Sequence, residues 1–278
     1  KSTLKKSAKL GVDVRALYRN EIDALLRAGH ARVADSQEKR GGHFIPHHDV
    51  IKLEKGRIKK FRIVFDASCE GNNGISLNAA IREAPNILPQ ITQLLTSFRQ
   101  YEFAFVADIR AFYHQINLID DCGKYFKFLW RDFGSGEPRV YQLTTNTFGE
   151  KGSGFRSCAT VDVHAEKFLG EFPEAVSVLK SRRYCDDVGY SCADECLLIK
   201  MFLQIKEILR RGGFALGKIA TNSERLKDLI DPNDLVKLKE FDGNLQGASS
   251  LGLGWDPQDD SFYYLGLEEV HEAAIEMP

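Results

Sequence analysis

Asp186 and Asp187 are adjacent carboxylates in the run Arg182-Arg183-Tyr184-Cys185-Asp186-Asp187-Val188-Gly189-Tyr190-Ser191. Leu179 and Tyr184 precede them, and Val188 and Tyr190 alternate with small residues after them. This pattern reads as strand, tight turn, strand, with the carboxylates at the turn. Two neighbouring aspartates repel, and holding both beside apolar side chains is costly without a cation. A solvated turn is the competing reading. Asp120-Asp121 and Asp259-Asp260, in polar and turn-rich surroundings, are expected to be turns of that kind. A third carboxylate favours the cation. Phe103-Ala104-Phe105-Val106-Ala107-Asp108-Ile109 reads as a buried strand, and an aspartate seldom ends such a strand unless it is paired or bound to metal. With that strand beside the hairpin, three carboxylates converge. Such a cluster suits two hard cations roughly 3.5–4 Å apart and in-line phosphoryl transfer.

Those carboxylates need a scaffold. Val14, Leu17, Tyr18, Ile22, Leu25 and Leu26 recur at helical spacing over residues 11–28, and Gly29 supplies the stop. Residues 31–43 are polar and read as a loop. Phe44 to Val50 reads as extended, broken by Pro46, and residues 51–67 as a hairpin turning at Lys55-Gly56. Its second strand alternates, with Arg62, Val64 and Asp66 on one side and Phe61, Ile63 and Phe65 on the other. A Gly- and Asn-rich loop leads to Leu77-Asn78. Ile91, Leu94, Leu95 and Phe98 predict a helix over 85–100, and Phe112 and Ile116 a short one after the Asp108 strand. Strands are expected over Lys124–Arg131 and Arg139–Leu143, a helix over 154–169, an amphipathic helix over 193–211 ended by Gly212-Gly213, and further strands over 214–219 and 249–265. Strands alternating with helices indicate an α+β layer with helices on one face.

Composition narrows the class. The 278 residues are 43% hydrophobic with a net charge of −1, which indicates a globular chain of about two domains rather than a generally basic nucleic-acid binder. The basic residues are uneven: Lys5-Lys6 near the start, then Lys55, Arg57, Lys59, Lys60 and Arg62 together. A local basic patch near an acidic site fits a phosphate-bearing substrate, whereas Lys55 and Arg57 read as solvated hairpin charges. The six cysteines form no Cys-x-x-Cys pair. Cys192 and Cys196 are spaced to share a helix face without a second ligand pair, and His43, His47 and His48 lack zinc-site spacing. Reduced thiols in an intracellular compartment, with no membrane span or signal peptide, are expected. The chain starts at Lys1 without methionine and is expected to be a fragment, a processed product or an excised domain.

Several segments together carry a resemblance. Tyr184-Cys185-Asp186-Asp187 resembles the Tyr-x-Asp-Asp box of reverse transcriptases, and Asp108 with Tyr113 five residues on resembles their first catalytic aspartate motif. With Ile45-Pro46-His47-His48, Phe61 to Ser68, Ser76-Leu77-Asn78, Tyr113 to Ile116, Thr147-Phe148-Gly149, Gly212 to Leu216 and Leu251 to Asp256, in order, the chain resembles the reverse transcriptase of BEL/Pao-type LTR retrotransposons over roughly residues 10–265. The resemblance implies a right-hand polymerase fold: 1–43 leading in, 44–100 fingers, 101–119 palm, 120–155 a fingers and palm return, 156–265 palm, and 266–278 the start of a truncated thumb or connection. It implies that Asp108, Asp186, Asp187 and the Ile109 carbonyl hold two Mg2+ ions, with Mn2+ able to substitute. Lys60, Arg62, Phe148, Gly149 and Lys151 would bind the nucleotide, with Asp66 positioning Arg62. Tyr113 would be the gate against a ribose 2′-hydroxyl, or else a core aromatic. Lys218 would be the general acid, or else a surface lysine. Tyr184, Leu251 and Gly252 would contact the primer. Gly154 departs from the family, which commonly has proline there, and this bears on the local helix start. The implied partners are an RNA or DNA template–primer, deoxynucleoside triphosphates, and the protease, RNase H and integrase of a Pol polyprotein. The implied location is an intracellular, cytoplasmic virus-like particle with nuclear access. The alternatives are a catalytically impaired remnant that binds nucleic acid and an RNA-directed RNA polymerase.

Overall fold

The computed structural model describes residues 13–35, 41–54, 57–98, 100–131, 137–236, 239–241, 244–246, 248–250 and 253–264. The Lys5-Lys6 pair, the Lys55-Gly56 turn, Leu251-Gly252 and residues 265–278 lie outside this set. Contacts within the chain divide it into two units, residues 1–85 with 113–157 and residues 86–112 with 158–278.

In the first unit the Val14–Arg27 helix starts where the Asp13 side chain accepts from the Arg15 N–H, and buries Val14, Tyr18 and Ile22. It ends before Gly29, whose φ of 73° fits the residue after a helix. Three short strands follow in chain order: β1 (Ala31–Val33), β2 (His47–Glu54) and β3 (Arg57–Phe65). The β2–β3 hairpin is antiparallel, pairing His47 with Phe65. Along β3, Phe61 and Ile63 are partly buried while Lys60 and Arg62 are exposed, as their alternation predicts. Tyr18, Ile22, Ile45, Phe65, Phe128 and Leu143 form the core of this unit. His47 packs its ring against Phe65 and Phe128 of that core and is hydrogen-bonded to Leu129 O at 2.9 Å, and burial lowers its pKa.

The second unit is built around β4 (Phe103–Ile109). The first unit then adds β5 (Lys127–Trp130) and β6 (Arg139–Leu143), which complete its antiparallel sheet in the order β1-β6-β5. Back in the second unit come β7 (Arg183–Tyr184), β8 (Asp187–Cys192) and β9 (Leu216–Thr221), giving an antiparallel sheet in the order β7-β8-β4-β9. β4 is apolar except for Asp108 and largely buried, and it is bonded on both edges, to β8 and β9. The Glu195–Arg211 helix is capped by the Asp194 carboxylate on the Leu197 N–H at 2.7 Å. It packs Leu198, Met201, Phe202, Ile205, Ile208 and Leu209 inward, with Phe202 edge-on to Phe105 at 5.2 Å. Burying Phe202 alone stabilises by about 1.5–3 kcal/mol. Downstream, β10 (Lys239–Phe241) pairs with β11 (Asn244–Gln246), and β12 (Ala248–Ser250), β13 (Leu253–Asp256) and β14 (Ser261–Tyr264) form a small sheet on which the fully buried Trp255 meets Phe98 edge-on at 5.0 Å.

The structure corrects several expectations. The helix expected over 85–100 is Ile91–Phe98, because Pro85 and Pro89 hold the preceding residues out of the helical region. The short helix after β4 is a 3-10 turn, Phe112–Gln115. Leu179 does not lead into a strand; it is buried in a helix, Pro173–Ser181, that opens with proline in its first turn. Asp120-Asp121 open a single helical turn, Asp120–Gly123. Cys192 ends β8, so it shares no helix face with Cys196, and all six cysteines are free.

Candidate functional site

In the second unit the strand register sets Asp108 directly opposite Asp187, and Tyr184 opposite Asp187. Cys185 and Asp186 are therefore the two residues of a tight hairpin loop. Cys185 has a φ of 55°, as the twist of such a loop requires of its first residue. The Ile109 N–H donates to the Asp186 carbonyl at 2.7 Å, drawing the loop back onto the end of β4. Asp186 consequently comes close enough to Asp108 for the two carboxyl charges to act on one another. Burial raises the Asp186 pKa above its ordinary range, and the Asp108 charge adds to the rise. Lys218, on β9, opposes it: its Nζ lies 3.1 Å from Asp108 Oδ2, while its side chain is 75% exposed.

Asp187 shares this end of the sheet as the register partner of Asp108. Among the described residues no set of three or more His, Cys, Asp or Glu side chains is arranged to hold a metal ion. The carboxylates at this end of the sheet are Asp108 and Asp186, whose charges act on one another, and Asp187, the register partner of Asp108. Neighbouring partly buried carboxylates are a donor set that a hard dication favours, since the ion offsets their mutual repulsion.

Arg183 holds the loop from inside, a role the sequence did not signal. It is 4% exposed, and its Nη1 donates to the Cys185 carbonyl at 2.7 Å. Its Nη2 donates to Asp162 Oδ1 at 2.7 Å and to the Cys158 carbonyl at 3.2 Å. A buried guanidinium is tolerable only with such partners. The Cys158 and Cys185 thiols act on one another, which lowers the pKa of Cys158 and raises that of Cys185. Tyr184 and Asp187 line a small cleft with Phe98, Val106, Trp255 and Phe262.

The nucleotide-contact candidates lie in the first unit. Lys60 and Arg62 share the exposed side of β3, and the charge of Arg62 acts on the Glu21 carboxyl. The Asp66 carboxylate accepts from the Ser68 N–H at 3.1 Å and so closes its own turn. Tyr113 lies on the 3-10 turn with its ring 4.7 Å from that of Phe148, which is 49% exposed. Gly149 has a φ of 91°, and a Cβ there would collide with the Phe65 carbonyl oxygen. The Lys151 side chain is exposed. Gly154 does not disrupt the helix that follows. The Ser153–Glu166 helix starts one residue earlier, with the buried Glu150 accepting from Ser153 Oγ at 2.8 Å and paired with Arg156. A Cβ at Gly154 would meet only Tyr113 Oη, at 3.9 Å.

With this geometry in place, the chain is similar in fold to solved protease–reverse transcriptases of foamy viruses. The foamy viral protease-reverse transcriptase dRH in complex with double-stranded DNA matches with a TM-score of 0.59 at 16% identity, over 92% of this chain and 36% of that one. The native prototype foamy virus protease-reverse transcriptase matches with a TM-score of 0.51 at 19% identity, over 70% of this chain and 22% of that one. Its CSH mutant gives 0.52 at 17% identity over the same shares. The chain thus spans between 22% and 36% of the length of these proteins. No family model and no curated protein matches. At this identity the likeness establishes a reverse-transcriptase-like fold. No helix among the described residues is long and apolar enough to cross a membrane.

Proposed function

We propose that this chain is the fingers and palm of an RNA-directed DNA polymerase encoded by a BEL/Pao-type LTR retroelement. The single observation that carries the reading is the meeting of Asp108 and Asp186, from a strand end and a hairpin loop, in a chain with a reverse-transcriptase-like fold. Asp108, Asp186 and the Ile109 carbonyl, with Asp187, would hold two Mg2+ ions, which supply charge neutralisation at the primer 3′-hydroxyl and the leaving pyrophosphate. The rest of the work falls to the chain's own groups. Lys60 and Arg62 bind the triphosphate, arginine through its planar fork and lysine as a point charge. Tyr113 excludes a 2′-hydroxyl by contact, with Phe148 against its ring. Lys218, already beside Asp108, donates a proton from Nζ to the departing pyrophosphate. Tyr184 and the Leu251-Gly252 turn contact the primer.

Primer extension tests this. A labelled DNA primer on an RNA template is incubated with deoxynucleotides and Mg2+ or Mn2+. Extension by the wild type and none by Asp186→Asn is the expected result. Template–primer binding without extension in either metal would instead identify a nucleic-acid-binding remnant, and equal use of ribonucleotides an RNA polymerase.

A further inference from the structure

We infer that Asn78 is a positioning residue for the loop of residues 148–151, and through it sets both nucleotide affinity and the choice between deoxyribose and ribose. The inference rests on the polymerase reading above and adds a residue to which that reading assigns no role. The side-chain amide of Asn78 is used at both ends. Its Nδ2 donates to the Gly149 carbonyl at 3.1 Å and to Ser68 Oγ at 2.9 Å, while its Oδ1 accepts from the Lys151 N–H at 2.8 Å. A carbonyl only accepts and a backbone N–H only donates, so these partners fix which end of the amide is which.

The segment around Asn78 is built to hold that amide still. Ser76 caps the single helical turn Leu77–Ala80, its Oγ accepting from the Ala79 N–H at 3.1 Å. Leu77 is 7% exposed and sits in the core of the unit. The Asn78 N–H donates to the Ala67 carbonyl at 2.9 Å. Consecutive residues thus cap, anchor and clamp. The loop it grips has little other freedom, because Gly149 lies tight against the Phe65 carbonyl and Glu150 is buried with Arg156. Phe148, next to Gly149, packs against the Tyr113 ring, and Lys151 follows Glu150. Positioning of this kind is worth rate and selectivity out of proportion to the energy of the bonds, because a small misplacement spoils reactive geometry.

Asn78→Asp keeps the shape and the acceptor for Lys151 but removes the donor, setting a carboxylate oxygen against the Gly149 carbonyl. The expected result is a rise of roughly tenfold in KM for deoxynucleotides and a comparable fall in the deoxy-to-ribo ratio of kcat/KM, the size expected for one charged mismatch. Template–primer affinity should stay at the wild-type value. Ser68→Ala removes only the Asn78 contact that faces away from the loop, and should leave both kinetic quantities unchanged at a similar Tm. Amide exchange at Lys151 should quicken in Asn78→Ala and not in Ser68→Ala. If the wild type extends primers and Asn78→Asp matches it in KM and in sugar ratio, this inference fails alone. If Ser68→Ala reproduces the Asn78→Asp effects, Asn78 is only a brace for the end of β3 and the inference also fails. If the wild type extends no primer, the polymerase reading fails and takes this inference with it.

Discussion

Two hairpin loops in the second unit carry adjacent aspartates, and they use them in opposite ways. Between β13 and β14 the carboxylates serve the fold. Asp260 Oδ1 accepts from the indole N–H of the fully buried Trp255 at 2.8 Å, and Asp259 Oδ1 accepts from the Ser261 N–H at 3.1 Å and from its hydroxyl. The solvated turn expected there is instead a structural brace. Between β7 and β8 the Asp186 carboxyl meets another carboxyl, and its pKa is raised rather than lowered. A loop that exists to be stable places donors around its acids. The β7–β8 loop buries an acid beside Asp108, with the largely exposed Lys218 as counter-charge, an arrangement that suits a cation.

The largest test of this contrast is the exchange of one oxygen for an amide. Asp186→Asn should cut nucleotide incorporation by about a thousandfold or more, equivalent to about 4 kcal/mol of transition-state stabilisation. Urea unfolding in the absence of divalent ions should show no loss of stability, since repulsion from Asp108 is relieved. Retained incorporation would remove the basis for treating the two loops differently.

The second loop should fail in the other currency. Asp260→Ala strands the Trp255 indole N–H in the core, which costs about 1–3 kcal/mol of folding stability, visible as a lower urea midpoint. Single-turnover incorporation by the folded fraction should be unchanged. A smaller effect is expected at the gate. Tyr113→Ala should lower selection against ribonucleotides by about 1–2 kcal/mol, read as the ratio of kcat/KM for matched deoxy- and ribonucleotides. An unchanged ratio would make Tyr113 a core aromatic.

The smallest effect is a pH dependence. The folded Asp186 carboxyl titrates above its ordinary 3.8. The folded chain therefore holds this proton more tightly than the unfolded chain. That stabilisation is whole at pH below the unfolded value and fades as pH rises through the raised one. Without divalent ions the wild type should lose stability over this window while Asp186→Asn does not, and Mg2+ should remove the difference. A wild type and variant with parallel stability profiles would mean that neither burial nor Asp108 raises the Asp186 carboxyl.

Much of this scaffold is legible in the sequence because it follows one periodicity at a time. The Glu195–Arg211 helix, β4 and the alternation of β3 each announce themselves by a repeat of apolar residues. The Asp108–Asp186 meeting is legible for a related reason, since an acid ending an apolar strand and an acidic loop between two short strands are both anomalies. What escapes is carried by polar side chains bonded far along the chain. Asn78 grips residues more than 70 positions away, and Arg183 reaches Asp162 and the Cys158 carbonyl. Neither choice of partner leaves a trace in local composition. The Pro173–Ser181 helix escapes differently: it is short, and its buried Ala175, Val176, Val178 and Leu179 read equally well as the lead-in to a strand.

The two acids that meet are carried by backbone of unequal constraint. β4 is bonded along both edges, while β7 is a two-residue edge strand paired on one side only. Local opening in a protein begins where such bonds are few. On warming, the hairpin should therefore part from Asp108 well before β4 gives way, so the chain loses its chemistry while still folded. The temperature at which incorporation ceases should lie below the one at which the Glu195–Arg211 helix melts, and an ion shared by the two carboxylates should draw the two temperatures together.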